Sequence, residues 1–240
     1  QLLTASGMVS SDYPQIIKNL WDNSQLLSHL HALALEGQIT SSLERSFSID
    51  PVVPPLLQEL ASSAKAELQN LARQFIASQM RWCQSLQRMQ IELLELPIEL
   101  FEDALAVLRE LGGREPKVAE FRLRERYDEA SSRLGLAARL VLQMDNHAFE
   151  ALDLRHGGVA LFTTALSLGS EQSREQALFA MQNPQTIKLA LGLRAAGLDL
   201  VTIQRQLLIL HDDGELPKGL EQISAANASM FFIPDPDQGH

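Results

Sequence analysis

Apolar residues recur along most of the chain at steps of three and four, the spacing that places side chains on one face of an α-helix. The clearest run lies between about Ala64 and about Met89. There Leu68, Leu71, Ala72, Phe75, Ile76, Met80, Cys83 and Leu86 form a stripe, while Glu67, Arg73, Gln74, Arg81, Gln84 and Arg88 fill the other angles. The pattern predicts one long helix with a wide buried face. Upstream, "SDYPQIIKNLWDNSQLLSHLHALALEGQ" predicts two short helices. Pro14 suits a first turn, Asp22 to Ser24 read as a break with a fresh cap, and Gly37 reads as a C-terminal stop. Asp50 and Pro51 read as the next helix opening, ahead of apolar Val53, Leu56, Leu57 and Leu60.

After the long helix, "IELLELP" interrupts and Pro97 restarts a helix, whose stripe of Leu100, Ala104, Leu105, Leu108 and Leu111 runs to a stop at Gly112 and Gly113. From Arg114 to Arg133 both charge signs alternate densely, a pattern read as a solvated helix face in preference to an anion site. That stretch is the expected seam, near Arg114 to Glu120, between halves 1–113 and 114–240 packed as one body. The second half predicts a helix over "LGLAARLVLQM", one opening near His156, one restarted near Pro184, one over "DLVTIQRQLLILH", and a last segment from Pro217. The expected fold is an all-α, compact multi-helix bundle.

The halves also echo each other. "RMQIELLELPIELFEDALAVLRELGG" and "REQALFAMQNPQTIKLALGLRAAGLD" share an arginine, then a proline, then an apolar helix that closes on Leu-Arg ahead of glycine. A pair of pseudo-repeated helical halves would follow, with Arg88 matching Arg174 and Arg109 matching Arg194. Chance similarity between leucine-rich helices stands as the alternative.

Composition narrows the function. Of 240 residues 45% are hydrophobic, enough for a buried core, and 5% are aromatic, a balance that favours helices. A formal net charge of −10 argues against nucleic acid, whose phosphates are met by Lys and Arg. The single cysteine, Cys83, makes neither an internal disulfide nor a thiolate cage, which fits a cytoplasmic setting. No apolar run reaches the roughly 18–20 residues that cross a bilayer, and no secretory plan opens the chain, so a membrane role is not expected. With Gln1 as first residue, a processed chain or part of a longer protein is expected.

The stretch from "LLQELASSAKAELQNLARQFIASQMRW" through "ELPIELFEDALAVLREL", with "LDLRHGGVALFTTALSLGSEQSREQALFAM" and "LALGLRAAGLD", resembles a family of all-helical proteobacterial proteins known only as a domain of unknown function. The likeness spans roughly Val53 to Leu216. It implies a helical fold and a bacterial cytoplasmic setting, and it carries no activity with it.

Candidate chemistry is sparse. His156, beside Gly157 and Gly158 and three residues after Asp153, reads as a capping or core histidine, with a phosphate-accepting histidine or a general base as the alternatives. His29 and His31 are two apart and point in different directions on a helix, while His147 and His211 stand apart from them, so no metal site is expected. Cys83, on the apolar stripe, reads as an inert thiol with a raised pKa. The polar series Gln79, Arg81, Gln84 and Arg88, with Arg174, is the candidate binding surface, because Arg and Gln offer planar multi-pronged hydrogen bonds. A solvated face is the alternative, as is an internal role in which Arg88 and Arg174 join the halves through Glu92, Glu95 or Glu175. Met230, Phe231, Phe232 and Ile233 near the C-terminus read as folding back over the bundle; left exposed, they would favour a homodimer.

The expected function is therefore a non-catalytic helical protein-interaction or regulatory module that needs no cofactor and has an unknown protein partner. A phosphotransfer module using His156 and a binder of small apolar ligands are the alternatives.

Overall fold

The computed structural model describes residues 13–110, 114–182, 185–211 and 214–232. The fold is all-α, a compact bundle, with no strand among the described residues. Its helices are α1 (Tyr13–Trp21), α2 (Ser24–Phe47), α3 (Pro55–Ala61), α4 (Ala66–Gln87), α5 (Ile98–Glu110), α6 (Arg114–Arg126), α7 (Arg133–Gln143), α8 (Leu154–Ser170), α9 (Arg174–Ala180), α10 (Thr186–Ala195), α11 (Leu200–Leu210) and α12 (Ala225–Ser229). Short 3₁₀ turns at Leu93–Glu95, Glu129–Ser131, Asp145–Leu152 and Leu220–Gln222 join them.

Helix α8 is the hub. Its sequence is apolar on all sides, which demands burial on all sides, and α3, α7, α9 and α10 pack around it. Its hydroxyls are absorbed locally: Thr163, Thr164 and Ser170 each donate to the carbonyl four residues back. Asp153 caps the helix by accepting from Arg155 N at 3.0 Å. Gly158, at φ 68°, kinks the first turn, and a Cβ there would meet the Pro54 ring at 3.0 Å.

At Gly37 and at Asp50 the helix boundaries differ from the sequence reading. Gly37 does not end a helix; α2 continues to Phe47. The reason is packing, since a Cβ on Gly37 would lie 2.9 Å from Leu86 Cδ1, so glycine lets α2 lie close on α4. Asp50 and Pro51 do not open α3 either. Asp50 accepts from Val52 N and Val53 N in a turn, and α3 begins at Pro55. The break after Trp21 stands, with Asn23 as the cap accepting from Leu26 N.

The main core draws on α2, α3, α4, α7, α8, α9, α10 and α11, from both sides of the expected seam. A smaller cluster of Leu96, Leu100, Phe101, Ala104 and Leu105 also reaches across the seam to Ala119, Leu123 and Tyr127. Tyr127 stacks on Phe101 with centroids 4.1 Å apart and donates its hydroxyl to the Leu96 carbonyl at 2.9 Å. The expected stop at Gly112–Gly113, Pro184 and Ile233 all lie outside the described residues.

The arginines matched by the internal echo occupy unlike places. Arg88 caps the C-terminal end of α4 and is exposed, whereas Arg174 opens α9 and is largely buried. Arg109 pairs with Glu102 and Glu120, while Arg194 donates to the carbonyls of Ile223 and Leu198.

Candidate functional site

Helix α4 divides the candidate residues between two faces. Ser78 and Gln79 turn inward and are buried; Arg73, Ala77, Met80, Arg81, Gln84 and Arg88 turn outward and are exposed. At 3.6 residues per turn these outward positions fall within an arc of roughly 100° and span roughly 22 Å from Arg73 to Arg88. The only carboxylate on α4 is Glu67, in its first turn. Among the described residues none of the ion pairs or side-chain hydrogen bonds involves Arg73, Arg81 or Arg88. Three unengaged guanidiniums thus line up on one face of a chain whose formal charge is −10.

Met80 falls within this arc, and Met89 and Ile91 follow the end of α4 in sequence. Met80 is 48% exposed, Ile91 40% and Met89 95%. Met89 also holds φ 50°, the left-handed conformation usually left to glycine. It closes α4 in a Schellman motif, with Gln90 N donating to the Ser85 carbonyl and Met89 N to the Leu86 carbonyl, both at 2.9 Å.

The inward face meets a buried ionic network. Glu36, fully buried on α2, accepts two parallel hydrogen bonds from Arg133, at 2.7 and 2.9 Å, and one from Arg174 at 2.9 Å. Gln79 Oε1 accepts from Arg133 at 3.2 Å while its amide donates to the Pro51 carbonyl at 3.0 Å. The Arg133 guanidinium lies over the Trp82 ring, 4.1 Å from its centroid. Arg174 further donates to Thr164 Oγ1 at 2.6 Å and to the Ala160 carbonyl at 3.2 Å. Burial alone would raise the Glu36 pKa; the two guanidiniums overcome that and hold it at about 2. Burial likewise draws the Arg174 pKa down against the pull of Glu36.

Arg133 closes the charge-rich stretch read as a solvated face, yet it is 2% exposed. That reading holds for Arg122, Glu125 and Arg126, which are exposed, and fails at the residue where α7 begins. Arg174 joins the two halves as the internal reading expected, but through Glu36 instead of Glu92, Glu95 or Glu175. Glu175 pairs with buried His29 at 3.1 Å, and that hydrogen bond holds its carboxyl at about 2. His31, pointing elsewhere, meets the Phe179 ring at 5.1 Å between centroids.

His156 is partly exposed, and its Nε2 lies 3.2 Å from Glu59 Oε1 of α3. Asp153 does not pair with it; besides capping α8, it lies 3.4 Å from Arg205. Cys83 is half-buried, and burial pushes its thiol pKa up. No group of three or more His, Cys, Asp or Glu able to hold a metal occurs among the described residues. Nor is any helix among them long and apolar enough to cross a membrane. At the C-terminal end Met230 and Phe231 are exposed, whereas Phe232 is half-buried near Gly192 as α12 packs on α10.

Glu36 and Arg133 went unnoticed in the sequence. Glu36 follows "HALAL" on the buried side of α2, where a carboxylate requires a buried cation, and that is the one local signal for the network. No family model, curated protein or solved structure matches this chain.

Proposed function

We propose that the chain is a helical protein-interaction module, regulatory in character and without catalysis of its own, that docks an acidic segment of a partner protein along the outer face of α4. The supporting observation is the unengaged Arg73, Arg81 and Arg88 on one arc with exposed Met80, followed at the helix end by exposed Met89. A guanidinium without an internal carboxylate keeps its fork of donors for another molecule, and Arg beside Met is a composition enriched at protein interfaces. Roughly 22 Å of helix matches about four turns of a partner helix.

An acidic protein segment fits better than nucleic acid. Polyphosphate binding scales with the number of phosphates neutralised and makes no use of an exposed apolar side chain, whereas three arginines with exposed Met80 match the few carboxylates and apolar groups of a short protein segment. The buried Gln79 and Arg174 stiffen the back of this surface and take no direct part in docking. The bacterial cytoplasm expected from the sequence is the setting of this proposal.

Selection of displayed random peptides on the chain tests it, with counter-selection on a variant carrying Arg73→Glu, Arg81→Glu and Arg88→Glu. Peptides rich in Asp and Glu that require the arginines are the expected yield. Recovery of peptides with no acidic bias, or of peptides that bind the variant equally, would refute the proposal.

A further inference from the structure

The outer face of α4 has the spacing of a helix-packing seam. Asn70, Arg73, Ala77, Met80, Gln84 and Gln87 follow one another at alternating steps of three and four, and all six are exposed. Such a repeat, about 3.5 residues on average, keeps a second helix in contact along the whole length of the first. Ala77, in the middle of the seam, has too little side chain to hold a neighbouring backbone away.

The two flanks of this seam differ. On one, Gln69, Ile76 and Cys83 are half-buried, with Ile76 packed on the main core. On the other, Glu67, Gln74, Arg81 and Arg88 recur every seven residues and are exposed. Flanking positions one heptad apart are where paired helices exchange charges and set their register. Arg81 and Arg88 lie about 10 Å apart along the axis, a distance covered by about seven residues of a partner helix or about three of an extended chain.

Hydrogen bonding decides between the two. Of the residues on the arginine arc Gln84 alone carries a carbonyl acceptor, and guanidiniums only donate. An extended segment would lay its backbone N–H groups against donors, whereas a helix satisfies them within itself. A second copy of α4 fits less well, because its three arginines would face three arginines and one carboxylate, Glu67, which already accepts from Gln143 at 3.0 Å.

Resting on the docking reading above, we infer that the acidic partner segment binds as an α-helix laid along α4. Its carboxylates, seven residues apart, meet Arg81 and Arg88, small or unbranched side chains lie against Ala77 and Met80, and no acid stands opposite Glu67.

The test uses two synthetic peptides of one composition and about four helical turns in length, with glutamates seven residues apart in the first and three apart in the second. Fluorescence anisotropy is expected to show the first binding about fivefold tighter or more. A proline at its middle is expected to weaken it about tenfold or more. On an Arg88→Glu protein the first peptide loses affinity and regains it when one of its glutamates, and not the other, is changed to lysine. Equal binding of the two peptides, or no loss with proline, would overturn the helical docking, and the arginine face stands if both peptides still require Arg73, Arg81 and Arg88. Self-association in sedimentation that Arg81→Glu abolishes would put a second copy on this face and overturn the proposal too. Failure of both peptides to bind, with no acid-rich peptides from the selection, would overturn the docking reading itself.

Discussion

Arg133 and Glu36 stand 97 residues apart in sequence and meet in the interior through two parallel hydrogen bonds. With Arg174 they form a buried arginine–glutamate–arginine triad that ties α2 to α7 and α9. Removing the central carboxylate strands two buried cations. Glu36→Ala is expected to lose about 3–5 kcal/mol, measured by urea denaturation. Replacing all three by apolar residues of similar size, as Glu36→Leu, Arg133→Met and Arg174→Met together, is expected to cost far less than the single change.

Acid sensitivity follows from the same group. The Glu36 pKa falls from 4.5 unfolded to about 2 folded, so its stabilisation is fully present above about pH 4.5 and is lost as pH falls toward 2. The contribution is on the order of 3 kcal/mol. Glu175, also held at about 2, adds to the loss in the same window. Denaturation midpoints measured from pH 6 to pH 2 are expected to fall steeply below about pH 4.5, and more gently in Glu36→Gln.

Met89 carries a conformational cost at an exposed site. With φ 50° and 95% exposure it makes little packing that would offset the strain. Met89→Gly is expected to stabilise the fold by about 1 kcal/mol in thermal or urea melts. If Met89 contacts the partner segment, the same variant binds the selected acidic peptides more weakly, so stability and binding move in opposite directions.

Gly135 tests the entry into α7. A Cβ there would lie 2.1 Å from the Glu129 carbonyl oxygen, a backbone atom that cannot swing away. Gly135→Ala is expected to destabilise by about 2 kcal/mol or more, despite the better helix propensity of alanine, as read from its denaturation midpoint.

Periodicity made the helices legible because an apolar stripe is a local property. The course of α4 was readable within two residues at each end, from about Ala64 to Met89 against Ala66–Gln87. What it missed depends on contacts distant in sequence. Gly37 looks like a stop until Leu86 is placed against it, and Arg133 looks solvated until Glu36 arrives from α2. The short α9 was not separated from the helix before it, although the polar break from Gly169 to Ser173 and the capping box of Ser173 and Gln176 announce a fresh start. For the site, the sequence grouped Gln79 with Arg81, Gln84 and Arg88, but two residues on a helix are about 200° apart, so Gln79 faces the core and its neighbours face water.

The most direct test of the docking surface is a map of amide and side-chain NMR shifts as an acid-rich selected peptide is titrated into the isotope-labelled chain. Shifts concentrated at Arg73, Ala77, Arg81, Gln84 and Arg88, vanishing as salt is raised, are the predicted result. Shifts centred instead on the exposed Val201 and Leu208 face of α11, or on His156 and Glu59, with the α4 arginines unmoved, would contradict it.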